Sequence, residues 1–333
     1  MKIITNKNNF DTYRKYQLII ELIKSYLSKK EYLNLDLPVL SPQLIPESYL
    51  EVFKTEFHYF DDKSNLYLTP SPELFIKRLI SSGIGNCCYL GKSFRNCEPN
   101  SSRHQREFTI LEFYRINEDY KFMAKEVLEM MQSISHALNN TDSIYYNKKK
   151  ISFSNWEELT VAEAFNKYAG ISPSVLFDEK EFIEKANSKG YATTSASFED
   201  LWSQIYAQEI EPYLGTNGYP TILYDYPVQF APLSKPNSDG LTAQRFEFYI
   251  EGLELGNCFT ELTDPVLQKK RFKDEDNIRT QNGKIVYPVD WEFINSLEDG
   301  MPDSTGIAIG IERLGMIFTN VLSIEDLQLI TIK

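Results

Sequence analysis

Three stretches of this chain set carboxylates or near-empty faces among apolar residues, where they could meet a ligand. In Glu107-Phe108-Thr109-Ile110-Leu111-Glu112-Phe113-Tyr114-Arg115 a period of two places Phe108, Ile110, Glu112 and Tyr114 on one face. A carboxylate in that company needs a cation or hydrogen-bond donors, since burying it alone costs several kcal/mol. An Arg or Lys of the fold answers that need as well as a cationic ligand does. The second stretch, Arg245-Phe246-Glu247-Phe248-Tyr249-Ile250-Glu251-Gly252-Leu253-Glu254-Leu255-Gly256-Asn257-Cys258-Phe259-Thr260-Glu261, reads as a strand pair. Glu247 and Glu254 fall on opposite faces unless a bulge at Gly252 or Gly256 re-aims one. Carboxylates clustered with open positions suit Mg²⁺ shared with substrate phosphates, and solvated edge-strand glutamates are the other reading. In the third, Gly306-Ile307-Ala308-Ile309-Gly310-Ile311-Glu312-Arg313, small residues alternate with aliphatic ones. A flat ligand could lie against so bare a face, although close packing of a helix explains it equally well. It is not a dinucleotide fingerprint, because no acidic residue follows at the required distance.

The elements that must hold these residues follow from periodicity and punctuation. Ile19, Ile20, Leu22, Ile23, Tyr26 and Leu27 predict a helix over 10–30, followed by an extended segment 32–37 that Pro38 closes. A strand at 66–68 runs into Thr69-Pro70-Ser71-Pro72-Glu73, where Ser71 is the expected helix cap, Pro72 the first position and Glu73 part of the first turn. Residues 86–115 read as a hairpin with a long polar loop, Asn96 to Gln105, and a helix follows over 119–138. Residues 143–220 read as helical, with solvated acidic stretches at 178–184 and 199–211. Strands are expected at 221–224, 244–250 and 252–262, a charged helix at 264–279 and a strand-to-helix unit at 305–320. With no linker and no repeat, residues 1–333 read as one α+β domain, an antiparallel sheet with helices around it.

Composition narrows the functional classes. The 333 residues carry 35 Lys and Arg against 47 Asp and Glu, a net charge of −12, with 14% aromatics. Such a chain buries a large core and lacks the diffuse basic charge of non-specific nucleic-acid binding. The polar N-terminus and the lack of any apolar run near 20 residues lead us to expect a cytoplasmic protein. Four cysteines and three histidines at these spacings fit neither a zinc site nor a disulfide framework.

The order of the segments carries a family resemblance. Leu35-Asp36-Leu37-Pro38, Ser93-Phe94-Arg95-Asn96 through Glu112, and Gly306 to Arg313 resemble motifs 1, 2 and 3 of class II aminoacyl-tRNA synthetases. The lysyl group within that class is the best likeness, through Thr69-Pro70-Ser71-Pro72-Glu73-Leu74, Asp225-Tyr226-Pro227, Pro232-Leu233-Ser234-Lys235 and Glu254-Leu255-Gly256-Asn257 to Glu261-Leu262-Thr263-Asp264. Lysyl-tRNA synthetases carry an anticodon-binding barrel before motif 1, for which residues 1–33 leave no room. The chain is therefore similar to their truncated paralogues, the elongation factor P β-lysine ligases. Ala308, where the lysyl enzymes usually have Gly, and Gly300-Met301-Pro302-Asp303 agree with that group.

The resemblance implies a class II synthetase-like fold and an AMP-forming ligase. It would activate lysine or (R)-β-lysine with ATP and Mg²⁺, then transfer it to a lysine of elongation factor P. Arg95 would contact the substrate carboxylate and α-phosphate, and Phe108 would stack on adenine with Arg313 on its other side or at the γ-phosphate. Asn96, Cys97, Glu98, His104, Gln105, Leu255 and Gly310 would complete the ATP site, and Glu247 and Glu254 would hold the metal. Glu73, after Ser71 and Pro72, would receive the amino group nearer the carboxylate. Glu112, Tyr114, Asn257 and Glu261 would receive the distal ammonium, with Ala308 beside them. Motif 2 usually reads Arg-x-Glu, whereas here Arg95-Asn96-Cys97-Glu98 carries an extra residue, and we expect Glu98 to take the adenine contact after a local shift. A homodimer through motif 1 is the expected assembly. Two alternatives remain: the same activation with a tRNA, carrier-protein or small-amine acceptor, and a non-catalytic module that binds lysine or ATP.

Overall fold

A computed structural model describes residues 2–99, 101–194 and 196–332. The chain forms two compact units: Met1–Met123 with Thr260–Lys333, and Ala124–Phe259.

The first unit is built on the predicted hairpin. Strands Cys87–Phe94 and Glu107–Ile116 pair antiparallel, and Ser304–Gly310 pairs antiparallel with the outer side of Glu107–Ile116, setting Ala308 opposite Glu112 and Gly306 opposite Tyr114. At the edge, Leu33–Leu35 runs parallel to Cys87–Tyr89, a departure from the all-antiparallel expectation. The period of two holds: Leu111 and Phe113 face a core with Ile307 and Ile309, while Glu112 and Tyr114 face the other way. Helix Phe10–Lys29 buries Ile19, Ile23 and Leu27 and packs on helix Ile311–Thr319, as its apolar stripe requires. A three-stranded sheet of Leu40–Ser41, Asp62–Leu68 and Lys54–Tyr59 stands beside them.

Helix Pro265–Gln281 is capped by Asp264, which accepts the N–H groups of Val266 and Leu267 at 2.9 and 3.0 Å. It is the expected charged helix, and within it Arg279 is buried. The Arg279 guanidinium donates to the carbonyls of Glu47, Leu50 and Ile285 at 2.7, 2.6 and 2.8 Å and so fixes the 45–52 loop.

In the second unit, Thr221–Pro227, Thr242–Ile250 and Leu253–Thr260 form an antiparallel run, with Glu157–Thr160 parallel to the first of them. Residues 143–160 correct the helical expectation: Ser143–Tyr146 and Lys149–Ser152 form a hairpin around Asn147 and Lys148, both at positive φ. Four-residue strands joined without a glycine leave little periodicity to read. The helices Glu179–Ser188 and Phe198–Ile205 bring Phe182, Phe198 and Trp202 into an aromatic core with Phe165, Tyr206 and Phe230. The 199–211 stretch is thus amphipathic, not simply a solvated face.

Candidate functional site

In the first unit, helix Glu73–Ser81 starts with Pro72 at the cap position, one residue later than predicted. Ser71 is therefore no cap in the expected sense, although its Oγ still accepts the Glu73 N–H at 3.0 Å. Its proton goes to Glu112 Oε1 at 2.6 Å, and Tyr114 Oη donates to the other oxygen at 3.0 Å. Glu112 is 2% exposed. Burial first, and then the neighbouring charge of Glu73, push its carboxyl up to about 8, against the lowering pull of Ser71, Tyr114 and Lys77. Two hydroxyl groups are thus its direct partners.

The internal cation that a buried carboxylate calls for is present, but on other groups. Lys77 Nζ lies 2.5 Å from Glu261 Oε2 and also contacts Glu73 Oε1, and both Lys77 and Glu261 are buried. Burial raises the Glu261 carboxyl while Lys77 pulls it down. The sequence reading assigned Lys77 no role. Its signal was the Glu73-x-x-x-Lys77 spacing, which stacks the pair on one helix face.

The bare face at 306–310 has two characters. A Cβ on Gly306 would stand 2.3 Å from Tyr114 Cε1, so the Tyr114 ring fills that space. A Cβ on Gly310 would meet only the Arg313 side chain, at 3.9 Å from Cδ and 4.0 Å from Cγ, leaving open strand. Gly306→Ala should push the Tyr114 ring off Glu112 and destabilise the chain by about 1–3 kcal/mol. Urea unfolding reads this, and an unchanged midpoint would show that the ring is free to move.

At the hairpin loop, the Arg95 guanidinium lies 5.2 Å from the centroid of the Phe108 ring, and its Nε is a buried donor without a hydrogen-bond partner among the described residues. The cation over Phe108 is thus Arg95. Arg313, in the first turn of its helix, instead sits 2.8 Å from His104 Nε2 and donates to the Arg103 carbonyl at 3.2 Å. Burial and the Arg313 charge lower the His104 pKa, so its neutral ring accepts from Arg313. Gln105 pairs with Gln328 at 3.0 Å. The Asn96 side chain is engaged within the fold, accepting the Cys97 N–H at 2.9 Å and donating to the Val52 carbonyl. Cys97 takes a left-handed conformation, φ 58°, which absorbs the extra residue, and Glu98 follows half-buried. Asn100 of this loop lies outside the described residues.

In the second unit, the strand pair carries a bulge, at Leu255 and not at Gly252 or Gly256 as expected: Phe248 pairs with Gly256 but Tyr249 with Glu254. Gly252 belongs instead to the two-residue turn, where Glu251 and Gly252 both have positive φ. The bulge brings Glu254, Glu247 and Asn257 to one face, while Leu255 itself is buried and offers only backbone. Glu247 is held by a network that the sequence did not show. Its Oε1 accepts Arg245 Nη2 at 2.5 Å, and its Oε2 accepts Tyr226 Oη at 2.6 Å and Tyr249 Oη. Tyr206 joins through contacts of 2.6 and 3.0 Å to the hydroxyls of Tyr249 and Tyr226. Burial and the Glu247 charge raise all three phenols, which stay protonated. Tyr226 reaches this face through a register shift at Asp225, φ 61°.

Glu247 keeps one lone pair on Oε1, and Glu254 shares its face. That donor set fits a hard ion which takes one or two protein carboxylates and draws its other ligands from phosphate and water. Arg245 Nε also donates to Asn257 Oδ1 at 2.9 Å. Asn257 therefore offers a ligand its N–H groups, which suit an acceptor and not the ammonium expected from sequence.

Residues 1–331 match the family described as tRNA synthetases class II (D, K and N). The chain is 32% identical over 330 residues to a lysine–tRNA ligase of Clostridium tetani, covering 98% of this chain and 65% of that protein. It is 32% identical over 341 residues to the lysine–tRNA ligase of Methanoculleus marisnigri, with 99% and 64% covered. A third, from Clostridium novyi, is 33% identical over 332 residues, with 98% and 64% covered. The chain thus spans about 65% of the length of the first of these relatives. Among its described residues no helix is long and apolar enough to cross a membrane. With residues 1–331 matched and its strands and helices arranged as above, the chain belongs to the class II tRNA synthetase family.

Proposed function

We propose that this chain activates lysine or (R)-β-lysine with ATP as an aminoacyl-adenylate and transfers it to a lysine side chain of translation elongation factor P. The observation that carries the activation half is Glu112, a buried carboxylate met by two hydroxyl donors, with Glu73 and Glu261 beside it. An ammonium on a flexible chain is the ligand that such a pocket lacks. Glu112 and Tyr114 receive the distal ammonium, Glu73 the amino group nearer the carboxylate, and Ala308 bounds the space between. Arg95 turns its Nε to the substrate carboxylate and α-phosphate, stabilising charge as the carboxylate attacks phosphorus and pyrophosphate leaves. Asn257, its Oδ1 taken by Arg245, would offer N–H groups to an acceptor of the ligand. Phe108 stacks on adenine, Arg313 and His104 meet the outer phosphates, and Gly310 keeps the strand open to them. Glu247 and Glu254 would hold Mg²⁺, which offsets phosphate charge when bound. In the second step the neutral acceptor amine attacks the adenylate carbonyl and AMP leaves. Elongation factor P as acceptor rests on Ala308 and Gly300-Met301-Pro302-Asp303, and the same reading includes a cytoplasmic homodimer.

A tRNA acceptor is the second reading, favoured by the names of the relatives. The test is ATP–pyrophosphate exchange with α-lysine, β-lysine and no amino acid. Intact mass of elongation factor P and acid-precipitable label on tRNA are then measured after incubation with the active mixture. Exchange with a lysine-sized mass gain is expected. Label on tRNA alone would transfer the proposal to the second reading, and no exchange with either isomer would end both.

A further inference from the structure

Lys77 has no place in the reaction described above, yet it is among the most deeply buried charges of the first unit, at 1% exposure. It projects from helix Glu73–Ser81 between two of the three carboxylates of the proposed lysine pocket. Burying an ammonium is expensive unless it is paired, and Glu73 and Glu261 are its partners. The cation is therefore structural in origin, but its consequence falls on the ligand. Glu73, Glu112 and Glu261 would together present three negative charges, and Lys77 reduces them to two. A lysine-type amino acid brings two ammonium groups, while its carboxylate goes to Arg95.

We infer that Lys77 is a positioning residue that sets the charge of this pocket, holding Glu73 and Glu261 together so that the remaining two negative charges match a ligand with two ammonium groups. The inference rests on the lysine reading of the site and adds to it the reason why three carboxylates stand where two cations bind. The groups facing the cluster are consistent. Tyr114 and Ser71 donate to Glu112 without adding charge. Tyr89, on the neighbouring strand, is held protonated by burial and by Glu112. Glu47, on the fixed loop, is raised to about 7 by burial and by Glu73, with Arg95 opposing. Lys77 itself is held charged by Glu261 and Glu73 against its burial. Without Lys77 the carboxylates would lose their internal counter-charge, and the pocket would take up a proton in its place. That proton would have to leave each time lysine binds.

The test is calorimetric titration of the full chain with lysine between pH 6 and 9, in buffers of different ionisation enthalpy so that released protons are counted. In the unaltered chain affinity should rise towards pH 8 as Glu112 ionises. In Lys77→Met the rising limb should move up by about one pH unit, with about tenfold weaker binding at pH 7, because one unit of pKa is a factor of ten. Lys77→Met with Glu261→Gln removes one charge of each sign, restores the count of two, and should bring the limb back. A purely structural Lys77 would lower the melting temperature and leave the limb in place, which overturns the inference. If Lys77→Met alone does not fold, Glu261→Gln is compared with the double variant. The double should bind about tenfold more tightly, and equal affinity overturns the inference. Failure of the unaltered chain to bind lysine overturns the pocket reading and this inference with it. Binding with an unmoved limb overturns this inference alone.

Discussion

Glu112→Gln should lower lysine-dependent pyrophosphate exchange by about 10²- to 10³-fold while the chain still folds. The carboxylate is 2% exposed, with both oxygens fixed by Ser71 and Tyr114. Gln keeps the shape and one acceptor oxygen but cannot neutralise an ammonium brought in by the ligand. Leaving a buried charge without its partner costs about 3–5 kcal/mol, and each 1.4 kcal/mol is a factor of ten. The fold itself should tolerate the change, for a reason that has a definite sign. In the ligand-free chain burial raises Glu112 from 4.5 to about 8, so the folded state holds its proton more tightly than the unfolded one. That contribution to stability is complete below pH 4.5 and is lost as pH rises towards 8. Gln has no proton to lose, so the variant should melt at or above the temperature of the unaltered chain at neutral and alkaline pH. Exchange assays beside melting curves at pH 5, 7 and 8.5 decide the matter. Unchanged exchange in a folded Glu112→Gln chain would remove Glu112 from the ammonium site.

Much of this site could be read before the fold was known, and the parts that could not share a physical cause. Glu112 was legible because a strand alternates strictly, so its type and its apolar neighbours fixed which face it shares with Phe108 and Tyr114. Glu247 and Glu254 were legible only conditionally: seven residues apart, they meet only if one residue is extra, and the bulge at Leu255 supplies it. Sequence placed the irregularity at a glycine, whereas Gly252 was required by the turn and the bulge fell on a leucine whose side chain packs inwards. The tyrosines around Glu247 were illegible for a different reason. Tyr206, Tyr226 and Tyr249 come from a helical segment and two strands, and nothing in their separations of 20 and 23 residues marks a meeting of three hydroxyls. Arg279 and Lys77 drew no notice because charged residues on helices default to solvent, and only tertiary partners reveal that these two are buried. The three motifs were also enough to identify the family, because their order along the chain narrows the match as well as their composition.

Arg95→Lys should be as damaging as Glu112→Gln, despite keeping the charge. Arg95 follows the strand Cys87–Phe94, its N–H donating to the Arg106 carbonyl at 2.9 Å, so the base of the loop aims its side chain. The guanidinium does two things that an ammonium cannot do together. Its flat face covers Phe108 at 5.2 Å, and its Nε is a buried donor for which the described residues supply no acceptor. Native structures rarely leave such a donor unmet, so an acceptor from the ligand is the expected partner. In the proposed reaction that acceptor is the amino-acid carboxylate or the α-phosphate, where negative charge grows as pyrophosphate departs. A donor aimed at developing charge contributes about 10²- to 10³-fold in rate, and Lys, a compact point charge on a flexible stem, neither forks nor stacks. The loss should therefore fall on kcat for exchange. The KM for lysine should shift less, since in the proposed pocket the two ammonium groups go to Glu112, Tyr114 and Glu73. A Phe108→Leu variant supplies the contrast, raising the KM for ATP with kcat largely kept, because the proposed adenine stacking would be made equally in ground and transition states. If Arg95→Lys changes only the KM for lysine, Arg95 binds the carboxylate without stabilising the transition state. If it changes neither parameter, the unmatched Nε has no ligand and the adenylate chemistry must be located elsewhere in the chain.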